Sequence, residues 1–240
     1  MQLCFIYLIT LSLWLAGPSI AEAESDSATE VRQNDAKQNQ VLSAGVALLK
    51  ERRPAEAIDN YFDKVIASYE ATYLAPGKVT YCARSPTESL YYLLQSAAEA
   101  KTSVVVVGPT LCDAYFLRAY GLIDLGRSAQ ARESIEKAIT MSPKNSQYLS
   151  ELASIYARER SWSEAIAKYE AAAQIAREFS PPESKVIELG KALRGRGYVL
   201  VELGRLDEAE ATYKQCLDIN PADKSALAEL RYVQTRHEHQ

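Results

Sequence analysis

Histidine is almost missing from this sequence, which holds two histidines, His237 and His239, both within four positions of its C-terminus. A frayed terminus does not keep a general base within the tolerance that proton transfer requires. The sequence also lacks the phosphate loop G-x-x-x-x-G-K-[ST], the nucleophile motif G-x-S-x-G and the zinc motif H-E-x-x-H. We therefore expect no catalytic residue, no metal site and no cofactor, and we interpret the terminal histidines as part of a flexible tail.

A surplus of positive charge is missing as well. The sequence has 27 lysines and arginines against 31 aspartates and glutamates, which gives a formal net charge of −4. Binding to nucleic acid or to an anionic membrane surface depends on a basic surplus. We therefore expect no nucleic-acid partner and no electrostatic attraction to a membrane.

The N-terminus carries an apolar run, Leu3–Ala16, which contains no charged residue. Its fourteen residues are fewer than the roughly 20 that a membrane-crossing helix needs. Gly17-Pro18 ends the run, and Ala21 and Ala23 are small residues of the kind that signal peptidase accepts. We predict a signal peptide at residues 1–23, cleaved after Ala23, with no stable membrane span afterwards and a periplasmic or secreted location. The alternative is an uncleaved N-terminal anchor.

Residues 24–40, ESDSATEVRQNDAKQNQ, contain almost nothing that folding would bury. Such a segment does not gain enough from burial to offset the entropy that ordering costs. We therefore expect a disordered polar tail at 24–40.

Three segments of the chain share one pattern. Each has an alanine, a bulky residue four positions later, and a small residue three positions after that. The three sets are Ala131, Ile135 and Ala138; Ala165, Tyr169 and Ala172; and Ala209, Tyr213 and Cys216. Upstream of each alanine lies another segment with apolar residues at intervals of three and four, which is typical of one face of an amphipathic helix. The pattern predicts paired helices that approach closely where a small residue meets a large one.

This pattern resembles the tetratricopeptide repeat, a unit of about 34 residues with the spacing W-x2-L-G-x2-Y…A-x3-F…P. Ala131 and Ala165 are 34 residues apart, whereas Ala165 and Ala209 are 44 apart, and we assign the additional residues to a longer second helix through Phe179. The resemblance implies an all-α fold, an α-α superhelix (a tetratricopeptide solenoid) of stacked antiparallel helix pairs. The expected units are a degenerate helix pair at 41–74, an atypical helical insert at 75–111, repeats at 112–145, 146–189 and 190–223, and a C-terminal capping helix and tail at 224–240.

The insert at 75–111 does not follow the repeat period. Ser85 and Glu88 form a capping box that predicts a helix. The four valines of Val104–Val107 fit either a short buried strand or a packed connector. Cys82 and Cys112 bracket the insert, and in an oxidising compartment they are a candidate disulfide; the alternative is two unpaired thiols packed among tyrosines.

The resemblance also implies a concave groove lined by the first helix of each repeat. At the groove positions the sequence offers aromatic and arginine side chains, the types that dominate binding hot spots. Our groove candidates are Phe116, Tyr120, Arg158, Arg194 and Tyr198. The alternative is that the protein's own insert or tail fills the groove.

These features favour a non-enzymatic scaffold or adaptor that is exported and holds a protein or peptide in its groove. The rival hypothesis is a self-associating structural component of an envelope assembly. A third hypothesis, a hydrolase, would require acidic residues such as Asp124 and Glu202 to pair in the groove, whereas helix-face carboxylates are ordinarily solvated charges. The sequence encodes neither the identity of the partner nor the oligomeric state.

Overall fold

The computed structural model describes residues 20–74, 76–99 and 103–238. Most of the elements in these ranges are α-helices. In chain order they are α1 (Ile20–Lys50), α2 (Pro54–Ala57), a π-helical turn (Ile58–Phe62), α3 (Asp63–Tyr73), β1 (Val79–Cys82), α4 (Pro86–Ala98), β2 (Val104–Val107), α5 (Thr110–Asp124), α6 (Ser128–Met141), α7 (Ser146–Arg158), α8 (Trp162–Phe179), α9 (Pro182–Glu202), α10 (Leu206–Ile219) and α11 (Lys224–Glu238).

The pairs α5–α6, α7–α8 and α9–α10 form the predicted stack of helix hairpins, which confirms the all-α superhelix. The repeat alanines Ala131, Ala165 and Ala209 are fully buried, as the small-to-large pattern requires. In the last hairpin the two helices approach closely, since a Cβ added to Gly197 would lie 2.6 Å from the ring of Tyr213. Close packing of this kind leaves no room for a larger residue.

The same turn joins the two helices of every pair. In the turns after α5 and α9, Gly126 and Gly204 have φ angles of 74° and 71°. Arg52 and Arg160 take the same left-handed conformation in the turns after α1 and α7, with φ angles of 61° and 58°. Each turn is closed by a six-residue hydrogen bond of the Schellman type, such as Arg53 N–H to Leu48 O at 2.9 Å. The worn copy at 41–74 therefore has the hairpin geometry of the other repeats.

The lengthened repeat differs from expectation in where its additional residues lie. Helix α8 ends at Phe179 as predicted, but α9 begins at Pro182 and has 21 residues, so both helices are longer than α6 and α7. The boundary expected at 190 is therefore wrong, because residue 190 lies inside α9. Pro182 explains the early start, since proline is suited to the first turn of a helix.

The insert is not purely helical, which corrects the expectation for 75–111. Its strands β1 and β2 pair in parallel, with Val79 opposite Val104, and α4 connects them. The four valines thus form a strand. One face of the small sheet packs under α4, where the rings of Tyr81 and Tyr92 stack at 4.8 Å, and the other face joins the main core through Cys82 and Val107.

The expected disordered tail is also wrong, because residues 24–40 lie within α1. Polar side chains hold this helix: Gln38 Nε2 donates to Ser68 Oγ at 3.0 Å, and Tyr69 donates its hydroxyl proton to Asp35. Composition alone did not reveal partners that lie 30 and 34 residues away. The predicted signal peptide lies largely outside the described residues, and the expected cleavage point falls in the first turn of α1. In the described part of the chain, no helix combines the length and apolarity needed to cross a bilayer.

Candidate binding groove

An open cleft of about 590 Å³ is lined by α1, α5, α7 and α9, the first helices of the successive pairs. Phe116 and Tyr120, two of the five predicted groove residues, line it. They lie four positions apart on α5 and therefore on the same face of that helix. Tyr120 is 48% exposed. The structure thus brings two aromatic side chains together in a preformed concave surface.

Phe116 is held in place by buried neighbours. Its ring lies 5.4 Å from that of Tyr148, and the Tyr148 hydroxyl donates to Asp113 Oδ1 at 2.6 Å. Burial raises the pKa of the Asp113 carboxyl and also raises the pKa of the Tyr148 hydroxyl. This buried hydrogen bond fixes the wall behind Phe116, so a ligand would meet a surface that needs little reordering.

The charged residues in the cleft are of both signs. Lys191 Nζ on α9 lies 3.0 Å from Glu151 Oε2 on α7, which ties the two helices together beneath the cleft. Asp124 at the end of α5, Lys50 at the end of α1 and Arg52 in the turn that follows lie on its rim. Sequence reasoning left Lys50 and Arg52 out of the candidate set; the worn repeat at 41–74 was the signal that could have placed them there.

The other three candidates do not line this cleft. Arg194 forms an ion pair with Asp223, whose other carboxylate oxygen accepts the N–H of Ala226 and caps α11. Its guanidinium therefore has a structural role. Tyr198, one turn further along α9, is 48% exposed, and Arg158 is exposed at the end of α7. These two remain surface residues beside the cleft.

The insert contributes no described residue to the cleft, so the alternative that it fills the groove is not supported. It contacts the turn between α6 and α7, where the Lys144 N–H donates to the Tyr92 hydroxyl oxygen at 3.2 Å, and it also contacts α9. Arg84 Nη1 lies 2.8 Å from Glu188 Oε1 on α9, and Arg84 Nη2 lies 2.9 Å from Glu88 Oε1 on α4. The insert is also joined to α5 by a disulfide between Cys82 and Cys112, with a Cα–Cα distance of 6.1 Å.

The two carboxylates named for the hydrolase hypothesis do not both line the cleft. Asp124 lines it, but Glu202 does not, so the carboxylate pair of the hydrolase hypothesis is not formed there. Within the described ranges, no group of three or more His, Cys, Asp or Glu residues is arranged to hold a metal ion. His237 lies in α11 and faces Asp207 and Glu210 at 3.6 and 3.9 Å, so its assignment to a flexible tail is wrong; His239 lies outside the described residues.

Comparisons with known proteins agree with this geometry. Two family models match, both described as tetratricopeptide repeat, at residues 113–145 and 146–222. Among curated proteins no match is found. The solved structure of pilF from Pseudomonas aeruginosa has a TM-score of 0.59 at 12% identity, over 86% of this chain and 72% of that one.

Two further solved structures match less closely. The first tetratricopeptide domain of Spaghetti (RPAP3), solved with an HSP90 peptide, has a TM-score of 0.46 at 21% identity, over 53% of this chain and 93% of that one. The structure of MamA (AMB-1) has a TM-score of 0.47 at 15% identity, over 85% of this chain and 84% of that one. The likeness to pilF shows a shared fold.

Proposed function

Since this chain belongs to the tetratricopeptide-repeat family, we propose that it is a non-enzymatic scaffold that is exported from the cytoplasm and holds a protein or peptide partner in its concave groove. The observation that carries the proposal is the cleft formed by four successive first helices, with Phe116 and Tyr120 on its wall. Repeat proteins bind extended partners along such surfaces.

The chemistry of the cleft indicates which part of a partner would bind there. The aromatic pair offers apolar area to a side chain, while Lys50 and Arg52 on one rim and Asp124 on another offer charge-assisted hydrogen bonds. A preformed wall reduces the ordering cost of binding. We therefore expect a peptide with an apolar anchor flanked by charged residues.

Replacing Tyr120 with Ala tests the groove. Partners crosslinked to the full chain in its native cell should be captured about tenfold less efficiently, because truncating a central aromatic removes a binding hot spot. Tyr232→Ala is the matched control, since Tyr232 is 51% exposed but lies on α11, away from the cleft. Capture that is unchanged in Tyr120→Ala, or equally reduced in the control, would contradict groove binding.

Export has a separate test. The apolar run before residue 20 and the small residues Ala21 and Ala23 support cleavage, so the mature protein should begin at Glu24. N-terminal sequencing of the protein from the exported fraction measures this directly. Retention of Met1 in a membrane fraction would favour the uncleaved anchor instead.

A further inference from the structure

Among the described residues, β1 is the strand that pairs with β2, and none pairs with the opposite edge of β2. Val79 N–H donates to Ser103 O at 2.8 Å and Ala83 N–H donates to Val107 O at 3.0 Å. In a parallel ladder with this register, Val105 and Val107 bond to β1, while the N–H and C=O groups of Val104 and Val106 point to the opposite side. Among the described residues outside β1, no backbone group donates to or accepts from the N–H and C=O groups of Val104 and Val106.

This edge opens into a cleft of about 770 Å³ between α1 and α4. The valines of β2 form its floor, Val31 and Ala36 of α1 stand on one side, and Leu93 of α4 stands on the other. The cleft thus surrounds a row of backbone donors and acceptors with apolar side chains. A single extended chain is the ligand that satisfies both features, because its own backbone would complete the ladder.

Helix α4 supports this interpretation because it buries polar side chains and exposes apolar ones. It buries Glu88, Tyr92 and Ser96 against the protein and exposes leucines to solvent. Leu90, Leu93 and Leu94 are 56%, 47% and 62% exposed. Since Leu93 also lines the cleft, the apolar face of α4 continues the cleft wall outward. An exposed apolar surface of this kind commonly marks an interaction site.

Charge restricts the occupant further. Among the described residues lining the cleft, Asp35 alone is charged, and it lies close to Gly108 at the end of β2. Its Oδ1 atom accepts the hydroxyl proton of Tyr69, which fixes the carboxylate at the edge of the cleft. A peptide with a basic residue next to an apolar stretch is complementary to this arrangement, and an acidic peptide is repelled.

We propose that this cleft is a second binding site, in which a segment of another protein, apolar and β-branched with one basic residue, adds to β2 as a third strand. A sheet of two strands is marginal by itself, and a third strand would complete it. The site is separate from the groove at Phe116 and Tyr120.

The test uses a fluorescent peptide, acetyl-Lys-Val-Thr-Val-Thr-Val-Ser-amide, and the full chain as processed in its host. Binding is followed by fluorescence anisotropy, and amide exchange by NMR. We expect the peptide to slow exchange at Val104 and Val106, while Val105 and Val107, already bonded to β1, change little. A version N-methylated at alternate residues, which lacks the donors for pairing, should bind about tenfold more weakly.

Matched variants locate the site. Val106→Pro removes an outward N–H that an edge strand can lose, so it should weaken peptide binding about tenfold while the helical circular dichroism is kept. Val105→Pro instead removes an N–H of the β1–β2 ladder and should disrupt the insert.

Asp35→Asn tests the charge preference. It retains an acceptor for Tyr69 but should abolish the several-fold preference for the lysine peptide over one with aspartate in its place. Tyr120→Ala should leave binding of this peptide unchanged, which separates this proposal from groove binding.

Other results would overturn the proposal. Amide protection confined to α5 and α7, or none, would place the peptide elsewhere. Protection of Val104 and Val106 in the chain alone, together with a dimer by light scattering, would identify a second copy as the occupant. The same protection in a monomer only when residues 1–23 are retained would identify the chain's own N-terminal segment.

Discussion

The repeats from α5 to α10 and the insert from β1 to β2 are stabilised in different ways. In the repeats, a small residue meets a large one at a fixed interval, as Gly197 meets Tyr213, and each contact lies between helices adjacent in the chain. The insert is held by contacts that are distant in sequence, such as that between Arg84 and Glu188. Local periodicity in the sequence therefore encodes the repeats, whereas polar and covalent contacts between distant residues hold the insert.

This difference has a functional consequence. The repeats depend on packing at almost every turn, and groove positions such as Tyr120 remain exposed. The insert is attached by a few strong contacts and leaves Leu90 and Leu94 exposed. We therefore expect single substitutions to release the insert while the superhelix stays folded.

Of the proposed variants, Arg84→Ala should cause the largest loss of stability, and the loss should be confined to the insert. The side chains of Arg84, Glu88 and Glu188 are only 14%, 1% and 8% exposed, so the variant would leave two buried carboxylates without their cation. Removing one partner of a buried ion pair costs about 3–5 kcal/mol. Amide exchange should show this loss at β1, α4 and β2, with little change in α10. Arg205→Ala, which breaks the exposed pair with Glu208, is the control and should have little effect on stability. Equal effects of the two variants would contradict a special role for Arg84.

The double variant that combines Cys82→Ser with Cys112→Ser should cause the next largest loss of stability. The two cysteines are 30 residues apart, and closing a loop of that size contributes about 3–4 kcal/mol in the chain-entropy model. Denaturant unfolding of the exported protein with and without reductant measures the same quantity. Reductant should destabilise the wild type and leave the double variant unchanged. If reductant has no effect on the wild type, the cysteines are unpaired in the native protein.

Gly197→Ala tests the repeats by a smaller change. The added methyl would approach the ring of Tyr213, which is fully buried, so the helices must separate at a cost of about 1–3 kcal/mol. Gly190→Ala on the same helix is the control, because the nearest atoms to the added Cβ are the side-chain ends of Arg194 and Asp223, which can move. The control should be neutral or stabilising, since alanine favours a helix more than glycine does. Urea midpoints for both variants decide the matter, and similar losses would refute the close-packing argument.

The sequence predicted the regions in which packing contacts recur at fixed intervals. Ala131, Ala165 and Ala209 marked the repeats because their neighbours lie at fixed intervals, and Phe116 and Tyr120 followed from the groove positions that the resemblance to the tetratricopeptide repeat implies. The sequence did not predict the partners of Arg194 or Asp35, because Asp223 and Tyr69 lie 29 and 34 positions away with no pattern that connects them. Composition likewise indicated disorder at 24–40, where tertiary hydrogen bonds hold a helix.

The smallest expected change in stability concerns the turn between α7 and α8, where an arginine occupies the left-handed position. Arg160 has a φ of 58°, whereas glycine takes the equivalent positions at Gly126 and Gly204. A side chain in the left-handed region costs about 1–2 kcal/mol, partly offset because glycine has more freedom in the unfolded chain. Arg160→Gly should therefore stabilise the protein by about 0.5–1 kcal/mol, and Gly126→Ala should destabilise it by a similar amount. Thermal unfolding of the two variants measures both, and a loss of stability in Arg160→Gly would show that the arginine side chain contributes more than its backbone conformation costs.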